Sequence, residues 1–352
     1  HTPRRRQRQM CIRDRFRIIF LFLFLGLITV VASLNPYHAC YHKDSTTITH
    51  KSDVFTACVT SSNTFDYNYD NSQHHLTVPV HFYFPKSSNK VPIIIISHGA
   101  GGIFQFHHNY KDIFLSNGFA VAIIDHFSPR NIAIDFNFVD VSEAMMLSDV
   151  SGTLKHLINY YSHRINGQIG YIGWSKGGIS SLSLRSKKIY DKYIPSNIKL
   201  SFLGGIYTYC GVSFEDYQSS NTPLLLISGE MDGITPSKYC ENLYKDYRDD
   251  EEIEYHQLEN AHHGFDNHAF LLGAYLPWQP TLIESEACTI KINDSLMTVN
   301  EAGTYSLNDQ QSRGEFVEVC TKKGAFVKYD TSSKNKSQKI VSEFVKSKFK
   351  FN

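Results

Sequence analysis

No two of the seven cysteines stand in a Cys-x-x-Cys pair and no zincin pattern occurs, so the ligand spacing of a metal site is missing. No internal repeat or low-complexity tract divides the chain. The charges are unevenly placed. Six arginines crowd into "HTPRRRQRQMCIRDR", which resembles a sequencing-library adapter translated in frame, and residues 1–15 are set aside as such an artefact. The remainder carries 29 basic and 33 acidic residues, a net charge of −4, which removes the electrostatic argument for nucleic acid as a partner. An apolar run long enough to span a bilayer is also missing. The uncharged stretch 18–32 has 15 residues, with Arg17 before it and the small residues Ala32 and Ser33 at its end. A spanning helix needs about 20. Residues 16–33 therefore read as a signal peptide, and cleaved export to a periplasm or the medium is expected, with no retained membrane anchor.

What is present is material for a large core: 352 residues, 42% hydrophobic and 13% aromatic, enough for one sizeable α/β domain. Outside the first fifteen residues stand Cys40, Cys58, Cys210, Cys240, Cys288 and Cys320. An even count in an exported chain permits three disulfides, and pairing of sequence neighbours is the expectation among the 15 connectivities that six cysteines allow.

Residues 34–74 show little periodicity and read as an N-terminal arm, with residues 75–352 as the folded domain. There "HLTVPVHFYFP" reads as an edge strand that tolerates Pro79, and "VPIIIISHGAGG" as a buried strand running into a glycine loop. "NYKDIFLSNG" reads as a helix and "FAVAIID" as a strand. "SEAMMLSDVSGTLKHLINYYSH" places Ala144, Leu147, Val150, Leu154, Leu157 and Ile158 on one helical face. Strands "QIGYIG", "KLSFLGGIYTY", "PLLLISGE" and "EIEYHQL" follow, separated by helices, and "SQKIVSEFVKSKF" closes the series. Such alternation means an α/β fold with a mostly parallel sheet covered on both faces. Residues 280–328 break the pattern with pieces such as "CTIKIN" and "GEFVEVC", and are expected to form an inserted β-like segment.

Gly173-Trp174-Ser175-Lys176-Gly177 stands where a strand turns into a helix. Glycines permit a tight turn that holds a serine hydroxyl above the sheet edge. A free serine is a poor nucleophile, so a histidine must take its proton and a carboxylate must orient that imidazole. Both follow in the order this architecture requires, Asp232 in "GEMDG" after one strand and His263 in "NAHHGFD" after the next. Ala100 in "HGAGG" and Lys176 supply the expected oxyanion N–H groups. These features together point to a serine hydrolase on an α/β-hydrolase fold.

"SHGAGG", "IIDHFSPR", "IGWSKGG", "GEMDGITP" and "HHGFD" are also similar to signatures of the dienelactone hydrolase family, over about residues 76–270. The resemblance implies Ser175 as nucleophile, Asp232 as acid and His263 as base. It also implies that the positions of Cys210 and Cys240 match those of exported members. The enzymes that gave the family its name carry cysteine where this chain has Ser175, which argues against dienelactone itself as substrate.

Two neighbours compete for roles. Glu230 lies two residues before Asp232, and His262 directly before His263; the loop position next to Gly233 favours Asp232, and the following Gly-Phe favours His263. Arg130 reads as a structural ion-pair partner. His98 reads as a brace for the glycine loop. Phe104 and Trp174 are expected to bind substrate as an apolar wall. Phe104 also occupies the place of the third glycine of a dinucleotide fingerprint, which argues against that use of "GAGG". The expected function is cleavage of carboxylic ester or lactone bonds in a small molecule through an acyl-enzyme, without metal or organic cofactor. An exported serine peptidase and a non-catalytic binding protein on the same fold are the alternatives.

Overall fold

The computed structural model describes residues 40, 52–68, 75–283 and 285–350. The readings of residues 1–15 as an adapter and 16–33 as a signal peptide, and most of the proposed arm up to residue 51, lie outside the described residues. The chain divides into units 1–43 and 44–352. Of the first, only Cys40 is described, and it is disulfide-bonded. All that follows concerns the second unit.

In chain order its first half comprises β1 (Val54–Ser62), β2 (His75–Tyr83), β3 (Val91–Ser97), α1 (Gln105–Ser116), β4 (Ala120–Ile124), α2 (Glu143–Tyr161) and β5 (Ile165–Trp174). Next come α3 (Lys176–Ser183), α4 (Lys187–Tyr193), β6 (Leu200–Ile206), β7 (Val212–Phe214), β8 (Leu224–Gly229), α5 (Ser237–Tyr247) and β9 (Ile253–Leu258). The C-terminal part holds β10 (Ala274–Leu282), β11 (Ile290–Ile292), β12 (Thr298–Asn300), α6 (Gln310–Cys320), β13 (Thr321–Val327) and α7 (Thr331–Lys348).

An eight-stranded sheet in the order β1-β2-β4-β3-β5-β6-β8-β9 forms the centre. Pairing is parallel from β4 through β9, while β2 joins β1 and β4 antiparallel. β3 shows why the strand is apolar throughout. Its side chains alternate between faces, so Ile93 and Ile95 enter one core with Leu147, Val150 and Leu154 of α2, whereas Ile94 and Ile96 enter the other. That second core is completed by Phe106, Tyr110 and Phe114 of α1 and by Val341, Phe344 and Val345 of α7.

Three readings are corrected. β2 is not an edge strand, because β1, unforeseen in the aperiodic 34–74 stretch, pairs along its whole length. β1 does alternate, with Phe55, Ala57 and Val59 buried, but five consecutive small or polar residues around it mask the period. Pro79 survives inside the sheet because its carbonyl, on the β4 side, accepts the Asp125 N–H at 3.0 Å; the missing proline N–H falls where the β2–β4 ladder ends. Finally, "GEFVEVC" is not β-like but the latter part of α6. Asp309 caps that helix through the Ser312 N–H at 2.8 Å, and Phe316 and Cys320, four residues apart, turn inward together.

The segment between β9 and α7 otherwise builds one small sheet, β10 with β13, and adds β11 and β12 to β7 of the body in another, β12-β11-β7. Cys288 is bonded to Cys320 within it, and Cys210, after β6, is bonded to Cys240 of α5. Cys58 is also disulfide-bonded. Disulfides of this number form and persist in oxidising compartments, which suggests an extracellular or periplasmic protein. Among the described residues no helix is long and apolar enough to cross a membrane.

Candidate active site

The turn from β5 into α3 is held by backbone geometry that glycine alone allows. A side chain on Gly173 would begin 2.0 Å from the Gly177 carbonyl oxygen, and one on Gly177 would begin 2.5 Å from that of Ser97. Between them Ser175 adopts φ 51°, ψ −116°, a strained conformation for a residue with a Cβ. The fold over-determines it. Ser175 N–H donates to the Ile206 carbonyl, and the Ser175 carbonyl accepts from Gly178 N–H and the Thr208 hydroxyl, each at 2.9 Å.

Loops after β8 and β9 bring the other two groups to the same end of the sheet. His263 Nε2 lies 3.1 Å from Ser175 Oγ, and His263 Nδ1 lies 2.8 Å from Asp232 Oδ2. The carboxylate is fixed in turn: Oδ1 accepts Ile234 N–H and Thr235 N–H at 2.9 Å, and the Thr235 hydroxyl lies 2.8 Å from Oδ2. Asp232 is buried, whereas the His263 side chain keeps 12% of its surface exposed, enough to meet a substrate. The competitors point elsewhere. Glu230 accepts the Asn260 N–H at 2.8 Å and so ties the two loops together. His262 packs edge-on against Phe326 at 4.9 Å between centroids.

Among the described residues, the backbone N–H groups of Ala100 and Lys176 take no part in the hydrogen bonds that hold these loops. Gly99 lies hard against the serine: a Cβ there would stand 3.0 Å from Ser175 Cβ, which sets the Ala100 loop beside the hydroxyl. His98 braces that loop. Its Nδ1 lies 2.8 Å from the Gly99 carbonyl and its Nε2 accepts the His126 N–H at 3.1 Å. Burial, with His126 adding to it, pushes His98 down to about 4, so the ring is neutral and serves as a fixed strut.

Lys176 does not offer a free charge to substrate. Its ammonium is buried and pairs with Asp135 at 2.6 Å, while the Asp135 carboxylate also accepts the N–H groups of Val139, Asp140 and Val141. Arg130 is structural too, as the loop position suggested. It grips Asp149 through two bonds of 2.9 and 3.0 Å and donates to the carbonyls of His126 and Ser62.

Two sequence assignments are corrected. Trp174 does not line the cavity at Ser175; it is wholly buried between Phe106, His107 and Tyr110, and its indole N–H donates to Asp266 at 3.2 Å. The alternation of β5 explains this, since Ser175 leaves the strand upward and Trp174 must then point into the core. Phe104 is partly exposed, stacks on Phe106 at 5.9 Å and caps α1, outside the cavity lining. A cavity open to solvent does meet Ser175, but beyond the motif residues Ser175, Lys176, Ile234 and Thr235 most of its walls come from segments that no local motif marks. Ile179 and Ile234 lie on the body side, and Leu282, Leu307, Phe316 and Val317 come from the C-terminal insertion.

Asp266 lies behind the histidine loop. Desolvation pushes its carboxyl up to about 6, against hydrogen bonds from Tyr207 and Trp174 that favour ionisation. The neutral form is thus favoured by folding. Between the unfolded value near 4 and the folded value near 6 the native state holds more protons, so stability from this group falls as pH rises, by about 3 kcal/mol in all. Asp266→Asn is expected to remove that slope: chemical denaturation at pH 4, 5, 6 and 7 should show the variant gaining on the native protein as pH rises.

Compared with known proteins, residues 78–270 match the model of the dienelactone hydrolase family. No curated protein matches the chain significantly. Among solved structures, a dienelactone hydrolase-like promiscuous phosphotriesterase from metagenomic libraries is similar at 12% identity and TM-score 0.51, covering 85% of this chain and 100% of that one. A Klebsiella pneumoniae protein described as a putative dienelactone hydrolase aligns at 15% identity and TM-score 0.44, over 61% of this chain and 89% of its own. The esterase Est22 aligns at 16% identity and TM-score 0.44, over 60% and 73%. At such identities the first of these likenesses speaks for a common fold alone.

Proposed function

The chain belongs to the dienelactone hydrolase family, and from that membership we propose that it is an exported serine hydrolase that cleaves carboxylic ester or lactone bonds. The observation that carries this reading is the continuous relay from Ser175 Oγ through His263 to Asp232, at 3.1 and 2.8 Å. His263 Nε2 accepts the hydroxyl proton as Ser175 attacks the ester carbonyl carbon, and Asp232 stabilises the imidazolium through Nδ1. The developing oxyanion is met by the N–H groups of Ala100 and Lys176, whose removal from such a site typically costs about 3 kcal/mol of transition-state stabilisation. His263 returns its proton to the departing alkoxide, leaving an acyl-serine. It then takes a proton from water, which attacks the same carbonyl carbon, and gives that proton back to Ser175 Oγ as the C–Oγ bond breaks and the acid leaves. In a lactone the alcohol stays tethered and both ends leave together.

Export is supported by the apolar stretch 18–32 and by the disulfides, which need an oxidising compartment. A fluorophosphonate probe tests the site directly. The native protein is expected to become labelled, and Ser175→Ala to remain unlabelled under the same conditions. Labelling that persists in the alanine variant would locate the nucleophile elsewhere.

A further inference from the structure

Above Ser175 the C-terminal insertion closes over the body of the fold. Its inner surface is apolar: Leu282 from β10, Leu307, and Phe316 and Val317 from α6 face Ile179 of α3 and Ile234 of the acid loop. Three charged residues also border this space, Lys176, Glu143 and Arg313. None is available to a ligand charge. Lys176 is paired with Asp135 at 2.6 Å. Arg313 is paired with Glu143 at 2.7 Å and donates from Nε to the Leu307 carbonyl at 2.8 Å. Burial pushes the Glu143 carboxyl up, but Arg313 and then Lys176 outweigh it and hold it below its ordinary range, so the pair stays ionised. Two cations and two carboxylates cancel inside the wall, and what remains for a substrate is mainly hydrocarbon, with the neutral hydroxyls of Thr235, Thr298 and Thr321 at its border.

From this we infer that the insertion is a specificity element, and that the acid part of the substrate is an uncharged, apolar chain of medium length, lying between Ile179 and Ile234 on one side and the Leu282–Leu307–Phe316 roof on the other. The inference rests on the ester-hydrolase reading above. A carboxylate carried into this pocket would lose its water without meeting an unpaired cation. A methylene carried there is gained, because each one leaves water for apolar surface.

The test is a series of p-nitrophenyl esters from acetate to dodecanoate with the native protein. Each added methylene is expected to raise kcat/KM about two- to fourfold until the pocket is full, so that octanoate exceeds acetate by on the order of 10²-fold. The hemi-ester of a dicarboxylic acid of equal length should run at least tenfold below its uncharged counterpart. Leu282→Trp and Val317→Trp, both at partly exposed positions of the roof, should each lower the octanoate-to-acetate ratio about tenfold or more and move the optimum to shorter chains. A flat or falling chain-length profile in a protein that the fluorophosphonate labels would overturn the pocket assignment and leave the hydrolase reading intact. So would equal rates for charged and uncharged chains, or tryptophan variants with the native ratio. Absence of both labelling and turnover would remove the hydrolase reading itself.

Discussion

His263→Ala is expected to lower kcat for an activated ester by on the order of 10⁴-fold or more, the loss that follows when the general base of such a relay is deleted. Without the imidazole, Ser175 Oγ has no acceptor placed to take its proton: the ring is 3.1 Å away, and the other histidine of the pair, His262, is packed against Phe326. A residual rate over water should persist, since the N–H groups of Ala100 and Lys176 are untouched. Asp232→Asn should cost about 10⁴-fold in kcat by a different route, because an amide facing Nδ1 favours the wrong tautomer. Here the carboxylate also receives Ile234 N–H and Thr235 N–H, so the loop keeps its shape and the loss reports on charge and proton placement. Groups that act as one unit are not additive, so Ser175→Ala combined with His263→Ala should be no slower than the worse single variant. Steady-state rates with one aryl ester decide this. A loss of less than tenfold in His263→Ala would assign the base to another residue.

The parts of this molecule visible in the sequence are those that a local pattern specifies. The strand–turn–helix around Ser175 could be read because glycine is required where a Cβ would stand 2.0 Å from a carbonyl, and such a demand leaves a mark in the letters. The carboxylate and histidine could be read because each sits in a short loop at the end of an apolar strand, in a fixed order. Lys176 shows the limit. Its place beside the nucleophile does not say where its charge goes: the ammonium is absorbed by Asp135, 41 residues away, a pairing no periodicity encodes. Trp174 failed for a related reason: adjacency to Ser175 in sequence means opposition across the strand. The roof of the pocket was the least legible part. Its residues are drawn from β10, α6 and the loop before it, and α6 itself carries apolar residues at both odd and even positions, which the eye reads as strand until Asp309 is recognised as a cap.

Arg130→Ala is expected to destabilise the fold by about 3–5 kcal/mol, the usual consequence of removing one partner of a buried ion pair. The guanidinium makes two bonds to Asp149, which is itself fully buried and also faces His126 Nδ1 at 2.7 Å and the Ser61 hydroxyl. Burial alone would push that carboxyl up, but Arg130, followed by the hydrogen bond from His126, prevails and holds it below the ordinary carboxylate range. The native pair therefore contributes stability above the unfolded carboxyl value and loses it as pH falls through the lower folded one. In the variant, desolvation acts without its counterweight and the same carboxyl is driven up, which reverses the sign: stability now falls as pH rises. The gap between native and variant midpoints in urea should accordingly widen from pH 4 to pH 7. Arg130→Met combined with Asp149→Leu removes both charges and should recover most of the loss, because a buried pair contributes little over hydrocarbon of similar volume while a lone buried charge costs much. A pH-independent gap, or a double variant no better than the single one, would mean that Arg130 acts through its bonds to the His126 and Ser62 carbonyls and not through Asp149. Since His126 N–H also holds the His98 ring that steadies the glycine loop, the single variant should lose ester turnover at temperatures where it remains folded. That loss would connect a pair buried between α2 and the loop after β4 to the glycine loop beside Ser175.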